Sequence, residues 1–246
     1  KEVKSELPPP KAKYLGLRYN CINSFEVNLP FLTELNLKGN DLEEFPPSIS
    51  FPNLKLFDSS YNLLTKLPDF AVFAPNIEKI NVTTNQLTEI HPSITKLQYL
   101  NYLDVSHNLI TEVPELPSTI THLLLQSNQI TKFADTKPLA LHELSLWKNK
   151  IEEIPSLAYG KVEDVSLCHN KLKSIPIESL SQNITKLNLC CNEIESLPPE
   201  LFKIKSLTEL ILFHNRITEI PTTFSDSHLE LFDLSENPIN HLPPIP

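Results

Sequence analysis

Three cysteines and two histidines lie close together in the second half of the sequence. They are Cys168, His169, Cys190, Cys191 and His214. Cysteine thiolates and histidine imidazoles are ligands that Zn²⁺ prefers, and a cysteine activated by a nearby base can act as a nucleophile. The set therefore raises three hypotheses: a zinc site, a disulfide bond, or a catalytic cysteine.

The five residues occupy only two positions of a repeated pattern. Cys168 and Cys190 stand two residues before an asparagine, and the other three stand one residue before one. If the repeats form neighbouring strands about 4.8 Å apart, two thiols and an imidazole could share a Zn²⁺ ion. Cys168 and Cys190 would also lie within the Cα separation that a disulfide needs. Because other repeats hold serine, threonine or glutamine there, we expect reduced side chains on an exposed face, with metal binding as the less favoured alternative.

The usual catalytic motifs are missing from the sequence. Its glycines, Gly16, Gly39 and Gly160, are isolated, so neither a phosphate-binding loop nor a dinucleotide-binding turn can form. The patterns HExxH, CxxC and GxSxG do not occur, and a nucleophilic cysteine would need a lowered pKa and a positioned base. We therefore predict that this segment is no enzyme and binds no cofactor, and leave open the activity of a longer protein containing it.

A pattern of the form LxxLxLxxNxLxxLP recurs eleven times along the chain. Residues 207–221, LTELILFHNRITEIP, are a nearly complete copy. The LxL core alternates with period two, which predicts a short strand with one face inward and, for stacked copies, a parallel sheet. The asparagine after each strand can pair backbone groups that the turn would otherwise bury. We expect these asparagines to form a ladder: Asn20, Asn40, Asn62, Asn85, Asn108, Asn128, Asn149, Asn170, Asn192, Asn215 and Asn237.

This pattern is the signature of the leucine-rich repeat. With asparagines 20 to 23 residues apart and Leu-Pro pairs in the return segments, the repeats resemble intracellular leucine-rich-repeat proteins of the Ras-scaffold and disease-resistance type. Residues 113–130 are similar to the shorter repeat of bacterial effectors. The resemblance implies an α/β leucine-rich-repeat solenoid with a curved parallel β-sheet on its concave face. Because prolines mark the return path, we expect mostly extended and 3₁₀ segments on the convex face.

The whole chain, 1–246, is predicted to be a single leucine-rich-repeat domain. Residues 1–29 would form an N-terminal cap and a degenerate first repeat, 30–228 the regular repeats, and 229–246 the last repeat. Solenoid ends need polar caps, and residues 7–14 suit the front end, whereas the final residues do not resemble a cap. Since the sequence also contains no methionine, we expect it to be part of a longer chain.

Composition restricts the partners and the compartment. The formal net charge of −9 opposes a surface that neutralises phosphates, so nucleic acid is disfavoured as a partner. No stretch approaches the roughly 20 apolar residues of a membrane span. Four cysteines are too few for a disulfide-stabilised scaffold of this length, so we expect a reducing, cytoplasmic location.

The predicted concave face changes character near the sixth repeat. In the first half its outward positions are mostly polar, as at Asn36, Asp58 and Asp104. Later positions form an apolar band of Leu124, Trp147, Cys168, Cys190, Ile211 and Phe213, edged by basic residues at Lys148, Lys150, His169, Lys171, His214 and Arg216. Aromatic and arginine side chains dominate interface energetics. The alternative is that Trp147 and Phe213 only cover the neighbouring strands.

Three functional hypotheses follow from these patterns. The first is a protein-interaction scaffold that uses the concave face to bind a partner segment with acidic and apolar side chains. The second is a regulatory or targeting segment of a larger signalling enzyme, because relatives of this kind often precede a phosphatase of the PP2C class, a kinase or a ubiquitin ligase module. The third, given less weight, is a zinc-binding or redox protein that uses Cys168, Cys190 and Cys191.

Overall fold

The main element of the fold is a sheet of eleven parallel strands. The structure is a computed structural model that describes residues 11–134, 139, 141–157 and 161–243. Strands of the main sheet follow one another in chain order, and two further strands form a small parallel sheet of their own. The main-sheet strands are β1 (Tyr14–Gly16), β2 (Glu34–Asn36), β3 (Leu56–Asp58), β4 (Lys79–Asn81), β5 (Tyr102–Asp104), β7 (His122–Leu124), β9 (Glu143–Ser145), β10 (Asp164–Ser166), β11 (Lys186–Asn188), β12 (Glu209–Ile211) and β13 (Leu231–Asp233); the small sheet pairs β6 (Glu112–Val113) with β8 (Lys132–Phe133).

Each main-sheet strand contributes one residue to the core and two to the concave face. In β3, for example, Phe57 is buried while Leu56 and Asp58 remain partly exposed. Neighbouring strands pair in register, so that Leu187 of β11 lies beside Val165 of β10 and Leu210 of β12. This alternation follows from the period-two geometry of a strand. The curved parallel sheet predicted from the repeats is confirmed.

The opposite face carries short helical turns in place of long helices. One α-helical turn, α1, spans Phe70–Phe73, and 3₁₀ segments span Pro92–Lys96, Ile177–Ser179, Pro199–Lys203 and Thr222–Asp226. A proline begins two of the 3₁₀ segments, where its missing N–H leaves no hydrogen bond unmade. The predicted extended and 3₁₀ convex face is confirmed. None of the helical segments in the described ranges has the length and apolar character that crossing a bilayer requires.

The core is a column of leucine and isoleucine side chains with an aromatic cluster in the first repeats. Phe45, Phe57, Phe70 and Phe73 pack with ring centroids 5.5 to 5.8 Å apart, mostly edge to face. Phe57 contacts the other three rings and is only 2% exposed. Such rings add geometric preference to the burial of apolar area, so this end of the solenoid depends on a few large side chains.

The two predicted chain ends are only partly described. Residues 1–10 and 244–246 lie outside the described residues, and with them most of the segment 7–14 that we assigned to a cap. Within the described part, β1 pairs with β2 and β13 pairs with β12, so the first and last repeats join the same sheet as the others.

Candidate binding face and sulfur cluster

The buried asparagines fix the ends of the strands that form the concave face. The Oδ1 atom of Asn108 accepts from the N–H of Leu87 (3.0 Å), and its Nδ2 donates to the carbonyls of Val82 (3.1 Å) and Val105 (3.0 Å). Each amide therefore links its own repeat to the one before. The same three-way link recurs at Asn40, Asn62, Asn85, Asn128, Asn149, Asn170, Asn192, Asn215 and Asn237.

The residue before each asparagine is held in the left-handed region of backbone space. Lys148, His169, Cys191 and His214 have φ values between 52° and 59°. Non-glycine residues adopt this region rarely, at about 1–2 kcal/mol each. The bonds of the asparagine ladder hold them there. These four predicted site residues therefore project from a turn of fixed geometry.

Most polar residues of the concave face serve the turn that follows their strand. The Oδ1 atom of Asp104 accepts from the N–H (3.0 Å) and hydroxyl (2.6 Å) of Ser106. Asp58 makes the same pair of bonds with Ser60. The backbone part of this arrangement recurs at Asn36, Asn81, Asn188 and Asp233. The sequence pattern predicts solvent-facing residues in the first half, which is wrong for Asp104: it is only 8% exposed. The Asp-x-Ser spacing was the signal that could have shown this role.

Leu124 and Ile211 occupy the same strand position but have no atom that could accept such a bond. Both are half-buried at the ends of β7 and β12. Trp147 and Phe213, two residues before their asparagines, are also half-buried. Repeats six and ten thus place an apolar side chain at the strand end where six other repeats use a polar residue for their own turn.

The side chain of Trp147 packs toward the preceding repeats. Its ring lies 6.3 Å from that of His107, edge to face, although the two residues are two repeats apart. In the intervening sixth repeat, the Gln126 Oε1 and Ser127 Oγ atoms are buried without a hydrogen-bond partner. The indole therefore partly covers the sheet, as the alternative interpretation proposed, and keeps part of its surface exposed. The sequence pattern did not indicate His107 as its neighbour.

The basic residues along the band are exposed, and two of them already have carboxylate neighbours. Arg216 Nη1 lies 3.1 Å from a carboxylate oxygen of Glu193, and His214 Nδ1 lies 2.9 Å from one of Glu236. Exposed pairs of this kind are worth little, at about 0–1 kcal/mol, so a partner's carboxylate can replace them. The remaining predicted basic residues, Lys148, Lys150, His169 and Lys171, are also exposed.

Cys168 and Cys190 form a disulfide bond with a Cα separation of 4.7 Å. Each side chain is only 9% exposed. The expectation of reduced, exposed side chains at these two positions is therefore wrong. Its physical reason lies in the register: because Ser166 pairs with Asn188, the residues two positions later also lie side by side, within the range that a disulfide bridges.

The third cysteine completes a compact group of sulfur atoms. The Sγ atoms of Cys168, Cys190 and Cys191 all lie within 4.8 Å of one another, and His169 and His214 are not members of that group. Burial and the nearby carboxylate of Glu236 raise the pKa of the Cys191 thiol above its ordinary value. A thiol that resists ionisation is a poor nucleophile, so the surroundings of Cys191 do not favour it as a catalytic nucleophile.

Comparison with known sequences identifies the repeats. Sequence models described as "Leucine rich repeat" match residues 160–217 and 182–239, and one described as "Leucine Rich Repeat" matches 31–51. "Podocan-like protein 1" of Mus musculus is 30% identical over 93% of this chain. The chain spans 47% of that protein, so it corresponds to less than half of this relative.

Solved structures share the fold. The leucine-rich repeat domain of APL1B superposes with a TM-score of 0.81 at 24% identity, covering 94% of this chain and 70% of that one. The leucine-rich-repeat chain in an octameric complex of Latrophilin 3, Unc5D and FLRT2 gives a TM-score of 0.74 at 22% identity, covering 94% and 77%. At these identities the likeness concerns architecture, and function has to be argued from the surface.

Proposed function

This chain is a leucine-rich-repeat protein, and we propose that it is a protein-interaction scaffold that binds its partner through the concave face of repeats six to ten. The observation that supports the proposal is the exchange of turn-forming polar residues for Leu124 and Ile211. At this strand position Asp58 and Asp104 each stabilise their own turn, whereas leucine and isoleucine cannot. A partly exposed apolar side chain at a position where the fold can use a polar one is typical of a contact surface.

We assign to Trp147 and Phe213 of this chain the largest share of the contact with the partner. Both are half-buried, so they can lose further solvent contact on binding without first moving out of the core. Tryptophan is strongly enriched among residues that dominate binding energy, and Trp147 is the single tryptophan of the chain. The asparagine ladder holds the adjoining turns rigid, which limits the ordering entropy that binding would otherwise require.

The basic edge suggests the chemistry of the partner. Lys148, Lys150, His169 and Lys171 are exposed beside the apolar band in a chain with a formal net charge of −9. A partner segment that combines acidic and apolar side chains would match both features. The FLRT2 leucine-rich-repeat chain occurs in a complex with other proteins. That is an analogy of fold, so it supports protein binding in general and names no partner here.

A capture experiment with matched variants tests this function. Proteins bound by the immobilised chain are compared with those bound by a Trp147→Ala/Phe213→Ala variant and by a Phe31→Ala/Val72→Ala control, whose two side chains are exposed outside the strands. If Trp147 and Phe213 are hot spots of about 2 kcal/mol each, the affinity for a specific partner should fall about 1000-fold, and about 30-fold if only one of them contributes. The control should bind as the unchanged chain does.

Two outcomes would count against the proposal. If the folded Trp147→Ala/Phe213→Ala variant retained the specific partners as well as the unchanged chain does, the binding site would lie elsewhere. An affinity that stays constant between low and high salt would contradict the proposal that the partner segment is acidic, because contacts between exposed charges weaken with ionic strength. Circular dichroism of each variant establishes that the fold is intact.

The proposal assigns no catalytic step to this chain and places it in the cytoplasm. Support for the location comes from the low cysteine content; the Cys168–Cys190 bond is the observation that opposes it, because disulfides persist mainly in oxidising compartments. Alkylation of the protein in freshly lysed source cells distinguishes the two. With denaturant and a metal chelator present, four alkylated cysteines are expected for a cytoplasmic chain, whereas protection of Cys168 and Cys190 that a reductant removes would place it in an oxidising compartment.

A further inference from the structure

We propose that, once the Cys168–Cys190 disulfide is reduced, the thiolates of Cys168, Cys190 and Cys191 hold one Zn²⁺ ion. The same sulfur atoms would then exist in two exclusive states, a disulfide with one remaining thiol or a metal site. Within the ranges that the structure describes, this is the one group of three or more metal-ligating side chains that converge.

The distances between the sulfur atoms suit a zinc site. All three Sγ atoms lie within 4.8 Å of one another. A tetrahedral ion with Zn–S bonds of about 2.3 Å requires sulfur–sulfur separations of about 3.8 Å. After reduction the two bonded sulfurs would move apart and Cys191 Sγ would move inward by about 1 Å. Small side-chain rotations are sufficient for this, because the three side chains already converge.

The surrounding backbone is fixed independently of the sulfur atoms. The strands that precede Cys168 and Cys190 are paired in register, and the amides of Asn170 and Asn192 tie the following turns to the preceding repeats. Cys191 is held in its left-handed conformation at φ 52°. Breaking the disulfide therefore leaves the ligands at the same strand ends, and a site preorganised in this way loses little entropy when metal binds.

The fourth position of the ion is assigned to solvent. His169 and His214 are not part of the converging group, and His214 Nδ1 lies against Glu236 at 2.9 Å. Cys191 lines an open depression together with His169 and His214, so a reductant and a metal ion can approach the cluster from the Cys191 side. Three protein ligands with one open position is an arrangement that zinc accepts. Arg216, which lines the same depression, would offset part of the net negative charge of a zinc ion with three thiolates.

The chemistry balances with a dithiol reductant. Its two thiols give two electrons and two protons to the Cys168–Cys190 bond and become a disulfide themselves, while the two cysteines become thiols. Zn²⁺ binding then displaces three thiol protons. In the reverse direction, a disulfide oxidant that removes two electrons from the Cys168 and Cys190 thiolates restores their bond. Only the Cys191 ligand remains, so the ion is released.

Cobalt titration tests the site without any partner protein. The full chain is reduced with a phosphine, freed of reductant under nitrogen and titrated with Co²⁺, which reports thiolate ligation through ultraviolet charge-transfer absorption. We expect one equivalent to bind with the intensity of three thiolates and to be displaced by Zn²⁺. The oxidised chain should bind less than about a tenth of an equivalent, since it lacks two of the ligands.

Variants of the cysteines decide between this site and binding elsewhere. Cys191→Ser should weaken binding of Co²⁺ at least about 100-fold, because loss of a ligand exceeds the 10- to 100-fold effect of losing an outer-shell contact. The double variant Cys168→Ser/Cys190→Ser should remove binding, whereas Cys21→Ser, in the first repeat, should leave it unchanged. The inference is overturned if the reduced unchanged chain binds no more Co²⁺ than the double variant, or if charge-transfer absorption is missing. Neither result bears on partner binding.

Discussion

Replacing Asn108 with alanine should lower the free energy of unfolding by about 3–5 kcal/mol. The side chain is only 5% exposed, and its amide pairs the N–H of Leu87 and the carbonyls of Val82 and Val105. Alanine would leave the buried N–H of Leu87 without its partner, at about 1–3 kcal/mol. It would also remove one hydrogen bond to each of the two carbonyls, at about 0.5–1.5 kcal/mol each, although Asn85 still donates to Val82 and Asn128 to Val105. Urea unfolding of the two proteins, followed by circular dichroism, measures the difference.

Asn20 supplies a matched control for this prediction. It occupies the equivalent position in the first repeat but is exposed, and among the described residues its amide donates to the carbonyls of Leu17 and Arg18. Because water can replace those bonds, Asn20→Ala should change the free energy of unfolding by no more than about 0.5 kcal/mol. Equal losses in the two variants would show that the ladder bonds do not carry the stability assigned to them.

The second large effect is expected at Phe57. Phe57→Ala should lower the free energy of unfolding by about 3–5 kcal/mol, the range found when a buried aromatic residue is truncated. The ring lies at the centre of β3 and packs against Phe45, Phe70 and Phe73. Its removal would open a cavity between the sheet and α1 that the closely packed core cannot fill. Thermal and urea unfolding both report the loss.

A leucine variant separates ring packing from simple burial. The corresponding residues of the neighbouring strands are Leu35 and Ile80, so the backbone accepts an aliphatic side chain at this position. Phe57→Leu should therefore cost less than about 1.5 kcal/mol. If leucine were as damaging as alanine, the ring contacts with Phe70 and Phe73 would carry more of the stability than apolar burial does.

The repeated features of the fold could be predicted from the sequence because each repeat makes the same contacts. Leu210 and its equivalents alternate with exposed residues, and Asn215 with its equivalents has the donor and acceptor that a buried turn needs. Both properties belong to a single repeat and its immediate neighbour. Spacing alone was therefore sufficient for the parallel sheet and the short convex segments.

The details of the candidate site depend on contacts that one repeat does not specify. Trp147 packs on His107 across an intervening repeat, which depends on side-chain length and sheet curvature. The repeat pattern predicts an exposed position for Cys168 and Cys190, yet both are buried, because the two side chains are joined to each other across neighbouring strands. Asp104 likewise satisfies its own turn. In each case the contact depends on the direction of a side chain, which the repeat pattern does not specify.

The most direct test of the proposed binding face uses Trp147 as a reporter. Since the chain contains a single tryptophan, incorporation of fluorotryptophan gives one fluorine NMR resonance that arises from this position alone. Addition of a partner identified by capture should shift or broaden the resonance in proportion to the bound fraction, because the partly exposed indole would lose its remaining contact with solvent. A resonance that stays unchanged while the partner is fully bound would contradict the assignment of the concave face of repeats six to ten as the binding site.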